Sequence, residues 1–296
     1  MFTIETGRQW RRWAKYSYNL VRTFVRLYYI ERRNPIFVYQ MGKVGSSTVA
    51  RTLERLRLSA PVLQVHILSS LEYQRAIVRQ RELGVRCPDE HLIISRFLVR
   101  KLQRGVFPCR IITLTREPIS RAISFAFETL RTRNADVILP DGRIDREKMT
   151  KKIIQLLDSD HPAADPGKWF EAELRAVFGI DVFSQPYEFD TGYKIFPHNR
   201  TPTLVIRMED INRHLHDALG TFLGVQIGQN QLCCANIGDQ KWYSDDIAWA
   251  KRNLQVPRET LLRVVNTRYF HHFYVHDRES ILRKYQRTDM AGLSTP

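Results

Sequence analysis

Residues 36–40 form a run of β-branched and aromatic side chains that glycines at 42 and 45 bring to a stop. A short apolar run ending in a turn is the pattern of a buried strand. Behind the turn, residues 46–56 open on Ser46, Ser47 and Thr48 and continue with apolar positions at helical spacing, which predicts a helix starting at Ser46. The alternation then repeats. Residues 62–68, entered through Pro61, read as a second strand, 69–83 as a helix stopped by Gly84, and 89–104 as a helix closed by Gly105. A third strand is expected at 110–115, followed by a helix from Pro118 to about Asn134, proline being tolerated in a first turn.

Beyond it, 134–146 reads as a loop around Pro140-Asp141-Gly142, 146–157 and 166–178 as helices, and 181–202 as irregular. A strand at 203–207 runs into Glu209-Asp210 and a helix ending near Gly224, and 257–287 is mostly helical, broken around residues 271–275. Strands alternating with helices predict the α/β class, here a P-loop-like central parallel sheet flanked by helices on both faces, with helical insertions. With no repeats and no obvious linker, residues 34–296 are expected to form one domain.

The segment ahead of it carries a different pattern. At 100° per residue, Trp10, Trp13, Ser17, Leu20, Val21, Phe24 and Tyr28 fall on one stripe of an 8–30 helix, and Arg8, Arg11, Arg12, Lys15, Arg22 and Arg26 fall opposite. A basic amphipathic helix with such aromatics suits a membrane surface; it equally suits packing on its own domain.

Charge sharpens the reading. The 296-residue chain carries a net +15 and a pI near 9.9, which calls for an anionic partner. Its 43% hydrophobic and 26% charged content supports a substantial core. Cys87, Cys109, Cys233 and Cys234 lack metal-site spacing and read as reduced bystanders. Neither a secretory signal nor a spanning run of ~18 apolar residues is visible, so the expected location is cytoplasmic, peripheral on the inner face of a membrane if 8–30 lies in one.

The chemistry gathers at two places. "QMGKVGSST" follows a strand and opens a helix, yet its lysine precedes the last glycine, unlike an NTPase phosphate loop, where lysine follows it. Backbone N–H groups of residues 44–48 point at an incoming anion, helped by the helix dipole and the hydroxyls of Ser46, Ser47 and Thr48. "TREPISRAIS" ends a buried strand on Arg116 and places Ser124 on the following helix, a second phosphate site with a bidentate fork. Two anion sites at neighbouring strand ends suit a ligand with two separated anionic groups.

Together the two segments resemble the cofactor motifs of sulfotransferases that use 3′-phosphoadenosine 5′-phosphosulfate (PAPS). The resemblance implies that Gly42, Lys43, Val44, Gly45, Ser46, Ser47 and Thr48 hold the 5′-phosphosulfate. It implies too that Arg116 and Ser124 hold the 3′-phosphate and that Lys43 contacts the bridging oxygen and transferred group, with no metal required. "GDQKWYSDDIAWAK" and "RYFHHFYVHDRE" are similar to capsular-polysaccharide synthesis proteins named for an Asn-Lys-Trp-Tyr-Ser element, with Gln240 in place of the Asn. That likeness implies a further phosphate contact for Lys241 and a glycan or lipid-linked glycan acceptor.

The catalytic base is expected to be His66, near the end of the second strand in "VLQVHIL". Several glycan sulfotransferases resemble this element with Glu-x-His, the Glu acting as base; Gln64 stands in that place and cannot accept a proton. Glu72 and Glu128 are the other carboxylates in view. Competing readings are a P-loop kinase or NTPase, against which the lysine position argues, and a non-catalytic basic protein on anionic membranes. Nucleic-acid binding has no motif beyond charge.

Overall fold

The computed structural model describes residues 30–82, 84, 90–228, 232 and 241–286, together with 18, 21, 27 and 28. Five strands, β1 (Ile36–Tyr39), β2 (Val62–Val65), β3 (Arg110–Thr115), β4 (Tyr193–Phe196) and β5 (Thr203–Arg207), form one sheet in the order β2-β1-β3-β5-β4. The first three and β5 are parallel, with Ile36 opposite both Val62 and Arg110, and Thr115 opposite Arg207. Strands β1 and β5 are buried at every position and β3 at every position but its first, because neighbours and helices cover them. That is why they read as continuous apolar runs rather than alternating ones. Edge strand β2 alternates instead, with Leu63 and Val65 inward.

The helices are α1 (Ser46–Arg55), α2 (Ser70–Glu82), α3 (Glu90–Leu102), α4 (Pro118–Glu128), α5 (Arg146–Leu157), α6 (Ile211–Leu223), α7 (Ser244–Asn253), α8 (Arg258–Val265), α9 (Arg268–Tyr274) and α10 (Arg278–Tyr285). The fold is thus α/β, as the alternation predicts. Parallel pairing brings the C-terminal ends of β1, β3 and β5 to one edge, where the glycine turn, Arg116 and Glu209 all emerge. Their core, including Phe37, Val38, Ile112, Leu114, Val205 and Ile206, is closed to solvent. Each such side chain contributes roughly 1.5–3 kcal/mol by leaving water, and this rigid floor fixes the edge above it.

Four features depart from the pattern. Residues 193–196, expected to be irregular, form β4, which pairs antiparallel with β5, so the sheet is mixed rather than wholly parallel. Three of its four positions are only half-buried, which erases the hydrophobic signal. Helix α4 stops at Glu128, well short of Asn134. There the Thr129 hydroxyl donates to the Phe125 and Ala126 carbonyls and the chain restarts as a single turn at Leu130–Arg133. Between Gly167–Trp169 and Ala176–Phe178 the helix widens to π geometry at Phe170–Arg175. The C-terminal run breaks twice, at 266–267, where the Thr267 side chain caps α9, and at Val275–Asp277, where a 3-10 turn at the end of the expected break separates α9 from α10; His271 itself sits inside α9.

At the N-terminal side, Leu27 and Ile30 are 1% and 0% exposed and join the main core, whereas Val21 and Tyr28, members of the apolar stripe, face solvent. Tyr18 is exposed as well, and the remainder of the expected 8–30 helix lies outside the described residues, as do Cys87, Cys233, Cys234 and Gln240. Cys109 is buried, which pushes its thiol up to about 12 and leaves it unreactive. No described helix is long and apolar enough to cross a membrane.

Candidate functional site

The chain leaves β1 at Gln40 and turns into α1 through two left-handed residues, Lys43 at φ 70° and Gly45 at φ 83°. A lysine in that region is strained, and such strain concentrates at functional turns. Glycine is required at 45 by its backbone and by Met208, whose Cγ would lie 3.2 Å from an added Cβ. No side chain caps α1; the Thr48 N–H donates to the Gly45 carbonyl at 3.1 Å, and the N–H groups of Ser46 and Ser47 are left to a ligand or to water. Val44 is buried and anchors the turn from below, while Ser47 and Thr48 are half-buried at its rim. The Ser46 hydroxyl accepts a hydrogen bond from Gln64 Nε2 at 2.6 Å, tying the turn to β2.

Two buried arginines grip the turn from β3 and α4. Arg116 Nη1 donates to the Lys43 carbonyl at 2.8 Å, and Arg121 Nε donates to the Gly42 carbonyl at 3.1 Å and its Nη1 to Pro162 at 3.0 Å. Burial lowers the pKa of both guanidiniums, that of Arg121 to about 10, while Glu209 and Glu117 partly restore that of Arg116. The corner carrying Arg116 is itself pinned. The Tyr269 hydroxyl accepts from the Arg116 N–H and donates to its carbonyl, both at 2.9 Å. Glu117 caps α4 through Ile119 and Ser120, and the Glu117 N–H donates to Glu209, which also accepts from Tyr274. Ser124 stands one turn beyond Arg121 on the same helix, buried.

The Lys43 ammonium leads to a third cluster. It pairs with Glu128 at 2.8 Å, and the same carboxylate oxygen accepts from Lys241 and, at 2.9 Å, from Tyr243. Burial alone would raise the Glu128 carboxyl, but its bonds from Lys241 and Lys43 outweigh that and bring it down to about 2. Burial lowers Lys43, against the opposing pull of Glu128. Two lysines, from positions far apart in the chain, therefore share one counter-ion at the mouth of the turn.

His66 lies just past β2, with Nδ1 2.8 Å from the Gln40 carbonyl and its ring 4.6 Å from that of His91. A carbonyl only accepts, so Nδ1 carries the proton and Nε2 is the basic nitrogen. The residue lines a cavity of about 330 Å³.

The structure thus brings Lys43, Arg116 and Lys241 to one edge and sets His66 beside it. Sequence reasoning passed over Arg121 and assigned Glu128 only as a substitute base. Arg121, Ser124 and Glu128 recur at helical spacing, which was the available signal. Tyr269 and Glu209 gave none, since their role is to hold backbone 153 and 92 residues away.

Residues 141–275 match a family described as "Putative capsular polysaccharide synthesis protein". The matched stretch takes in β5 and Glu209, the Lys241–Tyr243 element and Tyr269, but not the glycine turn, Arg116 or Ser124. Over it the chain is similar to a glycan-synthesis family, which points to glycan-related work. Comparison with curated proteins and with solved structures gave no match.

Proposed function

We propose that this protein is a sulfotransferase that moves a sulfuryl group from PAPS to a hydroxyl of a glycan or lipid-linked glycan. The observation that carries the reading is the bond from Arg116 to the Lys43 carbonyl. It joins two anion-binding elements 73 residues apart into one corner, next to an uncapped helix start. The residues present fit such a donor. Gly42 has nothing within 4 Å of the place a Cβ would occupy, which leaves the backbone open to close approach.

PAPS would supply an activated sulfuryl group on its 5′-phosphate. The N–H groups of the α1 start and the Lys43 ammonium would hold that end and stabilise the charge that grows on the leaving oxygen, an effect worth roughly 3–4 kcal/mol per donor. Arg116 and Ser124 would hold the 3′-phosphate, and Lys241 would add charge beside Lys43. His66 would take the acceptor's proton at Nε2 while Nδ1 stays bonded to Gln40. A basic 8–30 segment resting on an anionic membrane, on its cytoplasmic side, would suit a lipid-linked acceptor.

Calorimetry with adenosine 3′,5′-diphosphate (PAP) and AMP tests this. PAP should bind at least about tenfold tighter than AMP, and Arg116→Ala should erase the difference. Equal affinity of the unaltered protein for both nucleotides would overturn the reading.

A further inference from the structure

The cavity beside His66 has a chemistry of its own. Its walls include His66, Arg79, Gln80, His91, Ser95 and Arg133, and no carboxylate is among the described residues that line it. Arg79 comes from α2 and Arg133 from the turn after α4, so two separate elements bring like charge to one space. Neither forms an ion pair with a described acidic residue. Arg133 instead lies over the Phe125 ring, 5.7 Å from its centroid, with Nη1 3.2 Å from His161 Nε2. Burial and the nearby Arg133, Arg79 and Arg121 hold His161 down to about 4, so it is a neutral acceptor that orients Arg133 without offsetting its charge.

Ser95 supplies an independent sign. Its side chain is 1% exposed, lines this cavity, and its hydroxyl has no hydrogen-bond partner among the described residues. A buried hydroxyl left unsatisfied lowers stability and is rare in folded chains unless a ligand or water completes it. The cavity also borders the anion corner on two sides. His66 bonds the carbonyl of Gln40, three residues before Lys43, and Thr129, in the wall, follows Glu128, the partner of Lys43.

We infer that this cavity is the acceptor subsite and that Arg79, Arg133 and Ser95 bind an anionic substituent, carboxylate or phosphate, of an acidic saccharide. The assignment of the bound saccharide as an acceptor rests on the sulfotransferase reading; the binding itself does not. Two guanidiniums bracket one anion with charge-assisted bonds, and the Ser95 hydroxyl donates the remaining one. A neighbouring sugar hydroxyl would then lie within reach of His66, which lines the same cavity.

The test is calorimetry with a glucuronate-containing tetrasaccharide, its carboxyl-reduced neutral counterpart, and a hexose 1-phosphate. At least one acidic probe should bind about tenfold tighter than the neutral one, and which of the two does so identifies the anion. Arg79→Gln and Arg133→Gln should each remove most of that selectivity with PAP affinity unchanged. Ser95→Ala should weaken the acidic probe severalfold while Tm stays level or rises, the reverse of what loss of a packing group would give. Equal binding of acidic and neutral saccharides, or selectivity untouched in all three variants, overturns the inference. Arginine-dependent selectivity in a protein that ignores PAP would uphold the subsite and overturn the donor assignment alone.

Discussion

Lys43 combines three properties rarely found in one side chain: a left-handed backbone, a pKa lowered by burial, and a shared counter-ion. In the proposed transfer its charge would matter most as the bond to the leaving phosphate breaks, so Lys43→Ala should cut kcat by more than about tenfold, ~1.4 kcal/mol, with PAP affinity changed much less. Steady-state transfer assays beside calorimetry check this, and near-normal turnover would remove Lys43 from the chemistry. Gly42 makes the complementary case. A methyl group there meets nothing and the backbone needs no positive φ, so Gly42→Ala should keep the Tm of the unaltered protein. It should nonetheless lose PAP affinity, because the methyl fills space that only a ligand would use. A drop in Tm would show that the glycine serves folding instead.

At the scale of elements, the π-helical turn Phe170–Arg175 carries Glu173 into the core at 1% exposure. Its carboxylate accepts from the Leu68 and Ser69 N–H groups, each at 2.8 Å, and from the Tyr39 hydroxyl. Desolvation nevertheless outweighs these bonds and raises the group from its ordinary 4.5 to about 7. Between those values the unfolded chain has released a proton that the folded one keeps, so stability falls as pH rises from about 4.5 to about 7. The full span corresponds to about 3 kcal/mol. Thermal melts at pH 5 and 8 should show this loss, and Glu173→Gln should flatten it; an unchanged slope would place the titration elsewhere.

Elements also show where the sequence speaks and where it is silent. Strands β1, β3 and β5 announce themselves because burial on both faces demands unbroken apolar runs, and the glycine turn because its backbone demands glycine at 45. Strand β4 is half-buried at an edge and the π turn breaks helical periodicity, so neither leaves a pattern. The Lys43–Glu128–Lys241 cluster is assembled by tertiary contact alone, and from the sequence only its two lysines were picked out for the site, without their pairing. The arginine cavity had no signal, since Arg79 looks like any exposed helix residue.

For the whole molecule, the expected boundary between an N-terminal segment and the domain can be measured. Leu27 and Ile30 belong to the main core, and truncating a buried leucine or isoleucine costs about 2–5 kcal/mol. Deleting residues 1–33 should therefore lower Tm sharply, whereas deleting 1–26 should leave it nearly intact and weaken association with anionic liposomes. Equal melting of the two truncations would mean that this packing contributes little. The net charge of +15 makes any such association salt-sensitive.

The carboxylate shared by Lys43, Lys241 and Tyr243 has one more consequence, in time rather than in space. On the proposed function Glu128 would act as an internal competitor, since an anion pairing with Lys43 and Lys241 would draw them away from the carboxylate they now share. Affinity for the spent nucleotide would thereby be held down and its residence shortened. Glu128→Gln should bind PAP severalfold tighter yet turn over more slowly, limited by departure of the product; stopped-flow displacement of PAP would reveal the longer dwell. Unchanged dwell would mean the counter-ion has no part in release. On that reading the pace of turnover would be set in part by a carboxylate the protein itself supplies.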